Sequence, residues 1–161
     1  EKQMAKLSNI IEGGSYFAKV YEAVPDYNEK QSIERGEPGS GKYQWEINLA
    51  VDKEIFEAFE NEGFNAGMKE AGRASYTDKP VITFIKWASD YKGNPNTNPP
   101  IMDLNKNPLS IEDRIENGSI VRVQWKAYEY GKNTRYKRPM LVAVQVVELN
   151  EPTVSEDEVA F

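Results

Sequence analysis

The sequence predicts a mainly β protein, a five-stranded barrel closed by one helix and followed by a disordered acidic tail. Three observations carry this reading. Five segments are rich in aromatic and β-branched residues, and one of them alternates strictly between apolar and polar positions. One helical pattern stands between the second and third of these segments. The chain end, from Asn150, is acidic and poor in residues that could enter a core.

SYFAKVYEAV (15–24) reads as the first strand. PDYNEKQSIERGEPGSG (25–41) is polar and turn-forming, so a long loop is expected there. In KYQWEINLAV (42–51) Tyr43, Trp45, Ile47, Leu49 and Val51 alternate with Lys42, Gln44, Glu46 and Asn48, a second strand with one buried face. Asp52 is a good N-cap, and Ile55, Phe56, Phe59 and Met68 follow at helical spacings, with Gly63 and Gly67 weakening or splitting that helix. KPVITFIKWASDYK (79–92) is the third strand, opened by Pro80.

GNPNTNPP (93–100) is a loop, and IMDL (101–104) a short extended piece. In NPLSIEDRIENG (107–118) Ser110 and Asp113 resemble a capping box, which predicts a helix of one or two turns stopped by Gly118. SIVRVQWKAYEY (119–130) and RPMLVAVQVVEL (138–149) are the fourth and fifth strands, joined by the hairpin loop GKNTRYK (131–137). Residues 1–149 thus form one domain and 150–161 a flexible tail. Among common arrangements an OB-like barrel fits best, with its capping helix between strands 2 and 3; a β-sandwich is the alternative.

The chain has 161 residues with neither cysteine nor histidine, which removes disulfides, thiolate and imidazole chemistry and most zinc sites. No apolar run approaches the length of a bilayer-spanning helix, the polar opening EKQMAKLSNI does not read as a signal peptide, and a reducing, intracellular setting is expected. GEPGSGKY (36–43) has the glycine and lysine spacing of a phosphate-binding loop, but Tyr43 stands where a magnesium-binding hydroxyl is needed. A polar loop precedes it and a strand follows, so a flexible turn is the better reading. Asp26, Asp52, Asp78, Asp90 and Asp103 are scattered without metal-ligand spacing. No cofactor or metal is expected.

The net charge is −6, which as an average argues against nucleic acid, but its distribution does not. From Ser119 to Val147 there are six basic residues, Arg122, Lys126, Lys132, Arg135, Lys137 and Arg138, against the single acid Glu129. From Glu148 to Phe161 there are five acids and no base, and without them the chain is nearly neutral. On the fourth strand Val121, Val123, Trp125 and Ala127 share one face; Arg122, Gln124, Lys126, Tyr128 and Tyr130 share the other. The hairpin beyond adds Lys132, Arg135, Tyr136, Lys137 and Arg138, and KWASDYK (86–92) repeats the mixture with Lys86, Trp87, Tyr91 and Lys92. Cations neutralise phosphates and rings stack on unpaired bases, which is the chemistry of single-stranded nucleic-acid binding. A basic hairpin whose tyrosines pack on their neighbours would read the same way, and Trp87, sharing a face with Thr83 and Ile85, also reads as core.

The ordered set AVPDYNEKQSIERGEPGSGKYQWEINLAV, TFIKWASDY and VRVQWKAYEYGKNTRYKRPMLVAVQVVEL, followed by SEDEVAF, resembles the single-stranded DNA-binding proteins of podophages. That family has an OB fold and an acidic tail ending in phenylalanine, and its helix also follows the second strand. The resemblance implies a barrel groove that binds single-stranded DNA without strong sequence preference, in phage DNA replication, recombination and repair. It points to Tyr128 and Tyr130 as an aromatic pair, to Lys86 and Trp87, and to Arg35 and Arg138 as matching basic positions. It also implies that Glu156, Asp157, Glu158 and Phe161 dock on replication proteins such as DNA polymerase and helicase-primase and compete with DNA for the groove. A homodimer and the cytoplasm of an infected bacterial cell follow from the same resemblance. The tail is shorter than the family's, and NPNTNPPIMDLNKNP has its own character. The competing expectations are a metal-dependent nuclease or other DNA-processing enzyme on a similar barrel, and an OB-like adaptor that binds protein only.

Overall fold

A computed structural model describes residues 7–37, 41–90, 92–110, 114–129 and 137–150, and of 128 and 129 the backbone. The elements follow as β1 (Ile10–Pro25), α1 (Tyr27–Glu34), β2 (Tyr43–Ala50), α2 (Lys53–Asn61), β3 (Met68–Lys69), β4 (Val81–Trp87), β5 (Ile101–Met102), β6 (Ile120–Glu129) and β7 (Lys137–Glu148). The long strand β1 pairs antiparallel with β2 along its second half and with β6 along its first. β2 pairs with β4 and β6 with β7, both antiparallel. A parallel contact between β4 and β7, Ile85 opposite Met140, closes the ring. The result is the predicted five-stranded OB-like barrel, with β3 added beside β4 and β5 beside β7. A sandwich would leave two separate sheets; the β4–β7 contact joins one sheet to itself.

Alternation decides what the barrel encloses. Trp45, Ile47 and Leu49 of β2, Ile82 and Phe84 of β4, and Val121, Val123 and Trp125 of β6 all point inward and are buried. α2 plugs the end of the barrel at which β2 finishes. Its Phe59 is fully buried, with its ring 4.8 Å from Trp125, 5.1 Å from Phe64 and 6.3 Å from Phe84. Such burial contributes roughly 1.5–3 kcal/mol per large side chain. β1 begins five residues earlier than the first predicted strand, and Gly13 explains how it can: a Cβ there would lie 2.3 Å from the carbonyl oxygen of Ala50 on the neighbouring strand.

The structure corrects the expected long loop at 25–41, because Tyr27–Glu34 is helical. Asp26 caps it, its Oδ1 accepting from the Glu29 backbone N–H at 2.8 Å. The Asp26 backbone N–H donates to the Lys42 carbonyl at 3.0 Å, and the buried Glu29 Oε2 accepts from Gly41 N at 2.8 Å, so both tether the return of the chain. A helix therefore precedes Gly36 and a strand follows Lys42, the reverse of a phosphate-binding loop. α2 ends at Asn61, where Gly63 takes a φ of +92°. The described residues of 107–118 are not helical, and 111–113 lie outside the description. Asp103 Oδ1 accepts from the backbones of Asn105 and Asn107, and Leu109 N donates to Ile101 O, so the chain folds back on β5 instead.

Candidate nucleic-acid interface

Two rows of residues cross the outside of the barrel. In the first, Tyr16 of β1 lies opposite Asn48 of β2, which lies opposite Thr83 of β4. The parallel register of Ile85 with Met140 sets Thr83, two residues earlier, beside Arg138 of β7, and Arg138 in turn lies opposite Tyr128 of β6. In the second row Lys19, Glu46, Ile85, Met140 and Lys126 follow one another across the same five strands. A tyrosine position thus stands at each end of one row and a lysine at each end of the other. This placement follows from pleat and closure: residues two apart share a face, and closing the sheet brings β7 against β4.

Hydrogen bonds stiffen the first row. Thr83 Oγ1 donates to Asn48 Oδ1 at 2.6 Å, and Asn48 Nδ2 donates to the Tyr16 carbonyl at 3.1 Å. Gly67, at φ +75°, lets the segment before β3 lie close against β4 and β7. A Cβ there would be 2.7 Å from the Thr83 carbonyl and 3.4 Å from Arg138 Nη2. Arg138 is packed by this segment, and its Nε is buried without a hydrogen-bond partner among the described residues.

At the β1 end of the row a bulge separates Tyr16 from Lys19. Within it Phe17 takes a φ of +49° and remains 48% exposed. Its backbone N–H is satisfied by Asn117 Oδ1 at 2.7 Å. The Tyr76 ring lies 4.6 Å from that of Tyr16 and 5.2 Å from that of Phe17. Burial, and then the neighbouring Tyr16, hold the Tyr76 hydroxyl above the ordinary tyrosine pKa.

Lys86 lies on the far end of β4, opposite Trp45. Its Nζ is 5.8 Å from the Trp45 ring centroid and donates to the Thr97 carbonyl. Burial, and then Lys126, lower its pKa from the usual lysine value. Trp87 is half-buried beyond it on the outer face, so it is not part of the enclosed core, which takes Ile82 and Phe84 from this strand.

Two phage proteins share this architecture. Gp2.5, a single-stranded DNA-binding protein encoded by bacteriophage T7, aligns with a TM-score of 0.53 and 15% identity over 90% of this chain and 94% of its own. The single-stranded DNA-binding protein of bacteriophage Enc34, with its C-terminus truncated, aligns with a TM-score of 0.54 and 12% identity over 90% and 89%. The chain has their fold. No protein-family model and no curated protein sequence matches it.

Of the residues named from sequence, the barrel brings Arg138 and the Tyr128 backbone into the first row and Lys126 into the second, with Lys86 at the end of β4. Arg122 is placed apart from them, on the stretch of β6 that pairs with the start of β1, and its Nε donates to Glu12 Oε1 at 3.0 Å. Lys137 serves the fold: Nζ donates to the Glu62 carbonyl at the end of α2 and sits 4.5 Å from the Phe64 ring centroid. Arg35 is exposed at the C-cap of α1, against Gln31 Oε1 at 3.4 Å. Lys92 is exposed in the turn that Asp90 holds, where the Asp90 carboxylate accepts from the Lys92 and Asn94 backbones.

Tyr91, Tyr130, Lys132, Arg135, Tyr136 and the tail residues Glu156, Asp157, Glu158 and Phe161 lie outside the described residues. Sequence reasoning missed Tyr16, Phe17 and Tyr76. The only signal was the pair of adjacent aromatics in a strand, where strict alternation would send one of them inward. Among the described residues no group of three or more Asp, Glu, His or Cys stands together as metal ligands, and no helix is long and apolar enough to cross a membrane.

Proposed function

We propose that this chain is a non-enzymatic single-stranded DNA-binding protein, gripping DNA without strong sequence preference on the outside of its barrel. The observation that carries the reading is the row from Tyr16 through Asn48 and Thr83 to Arg138 and the Tyr128 position, flanked by Lys19 and Lys126. Aromatic positions, amide and hydroxyl groups, and cations alternate across one continuous surface. A single strand offers bases with π-faces and a phosphate chain, and such a surface meets both. The shared fold with two phage single-stranded DNA-binding proteins supports the same reading.

In finer detail, we place the protein in phage DNA replication, recombination and repair, in the cytoplasm of an infected bacterial cell, acting as a homodimer. The acids Glu156, Asp157 and Glu158 compete with DNA for the basic surface, and Phe161 anchors the tail on replication proteins such as a DNA polymerase or helicase-primase.

Titration of labelled single- and double-stranded DNA at several salt concentrations tests the central claim. Preference for single strands, steep weakening with salt, and intact DNA after incubation with magnesium are expected. Equal affinity for duplex and single strand would overturn it.

A further inference from the structure

Regular β-strands send adjacent side chains to opposite faces, yet the rings of the adjacent residues Tyr16 and Phe17 both reach Tyr76. The bulge is what makes this possible. Phe17 holds the left-handed conformation, φ +49°, that bulges ordinarily assign to glycine. For a bulky residue this is strained, and strain of this kind gathers where a side chain must be aimed. It does not serve core packing here, because Phe17 is 48% exposed while its neighbours Ser15 and Val20 are fully buried.

We propose that Phe17, backed by Tyr16 and Tyr76, is a stacking platform for an unpaired base, one end of the DNA path across the barrel. The proposal rests on the reading of the chain as a single-stranded DNA-binding protein and adds to it a subsite that the basic hairpin does not contain. Continuity supports the choice of occupant. Tyr16 heads the same row that runs through Asn48 and Thr83 to Arg138, and Lys19 follows the bulge with its side chain exposed. A base stacked on Phe17 therefore lies at the head of the row that leads across the barrel to Arg138. The groove that Phe17 also lines, against residues 114–117, has Lys19 and Arg114 balanced by Glu22 and Glu116, so by charge alone it does not select a polyanion. Tyr76 comes from the connection between β3 and β4, so its ring completes the platform only once β1, β2 and β4 have paired.

The test uses the full-length protein and a labelled oligothymidine. Phe17→Gly removes the ring and at the same time relieves the backbone. Affinity should fall about tenfold, the dependence of log affinity on log salt should stay parallel to wild type, and the melting temperature should hold or rise. Phe17→Trp should retain binding, and Tyr76→Leu should weaken it in the same salt-independent way. A 5-iodouracil oligonucleotide should photo-crosslink to the peptide containing Phe17. Wild-type affinity in Phe17→Gly would overturn the platform, and a lowered melting temperature beside it would make the ring a packing element. A changed salt slope would also overturn it. Absence of single-strand binding in the wild-type protein is a different result and removes the underlying reading as well.

Discussion

Lys86 stands over Trp45: its ammonium nitrogen lies 5.8 Å from the indole centroid while donating to the carbonyl of Thr97. The contact ties the end of β4 to the 93–100 connection and holds a cation at the rim of the barrel. Burial first, and Lys126 second, lower the pKa of this lysine. The folded state consequently binds fewer protons than the unfolded chain in the alkaline window between the two pKa values. Through that window the Lys86 contribution to stability rises with pH. A bound phosphate favours the charged form, so DNA affinity should move the other way. Raising the pH from about 7.5 to about 9, still below the ordinary lysine value of about 10.4, should weaken single-strand binding. Lys86→Arg should bind across that range with a flatter profile. Identical profiles for wild type and Lys86→Arg would remove Lys86 from the interface.

Arg138 and Tyr128 are opposite one another in the β6–β7 ladder but should fail in different ways. Arg138→Ala should weaken binding and lower the salt slope by about one, since one phosphate contact is lost. Tyr128→Ala should weaken binding by roughly 5- to 150-fold with the slope unchanged, because stacking releases no ions. Fluorescence titrations at four salt concentrations distinguish the two. Unfolding of Tyr128→Ala would instead assign that ring to packing.

Gly67 and Gly63 both take positive φ, at +75° and +92°, but only Gly67 is crowded. Gly67→Ala would push a methyl against the Thr83 carbonyl and toward Arg138, adding a backbone clash to the conformational strain. Urea denaturation should show a loss of about 1–3 kcal/mol for Gly67→Ala and a smaller loss for Gly63→Ala, which meets nothing. DNA affinity should fall only for Gly67→Ala, as Arg138 is displaced. Equal losses at both sites would show that packing against Thr83 contributes nothing.

Deletion of residues 152–161 removes Glu156, Asp157 and Glu158. Single-strand affinity should rise at low salt, and the gain should shrink toward higher salt, since charges are screened over about 10 Å at 0.1 M. Phe161→Ala leaves every charge in place, so it should bind DNA like wild type while losing on the order of 2 kcal/mol of binding to a replication partner. Unchanged DNA affinity after truncation would end the competition model, and wild-type partner binding by Phe161→Ala would end the anchor.

Local pattern and tertiary closure divided the work between them. Alternation, strict in KYQWEINLAV and looser in SIVRVQWKAYEY, determined which faces of β2 and β6 turn inward, because a strand's period of two sends successive side chains to opposite faces. The helix after β2 was equally legible, from the spacing of Phe56 and Phe59; Asp52 stands at its N-cap position but makes no side-chain cap bond and instead accepts from Lys79. The eight-residue α1 was legible only in part: Asp26 three residues before Glu29 is a cap signal, but Glu29 finds its own partner in Gly41, twelve residues on. Which cations share a surface was decided by strand pairing and closure together. Lys126 and Arg138 gather beside β4 because Ile85 meets Met140, whereas Arg122, four residues from Lys126, is drawn to Glu12. The Tyr16, Phe17 and Tyr76 cluster belongs to the tertiary structure too, since it needs β1, β2 and β4 paired. It depends on a bulge and on a ring sixty residues away, and contacts between such distant residues leave no periodic trace in the chain.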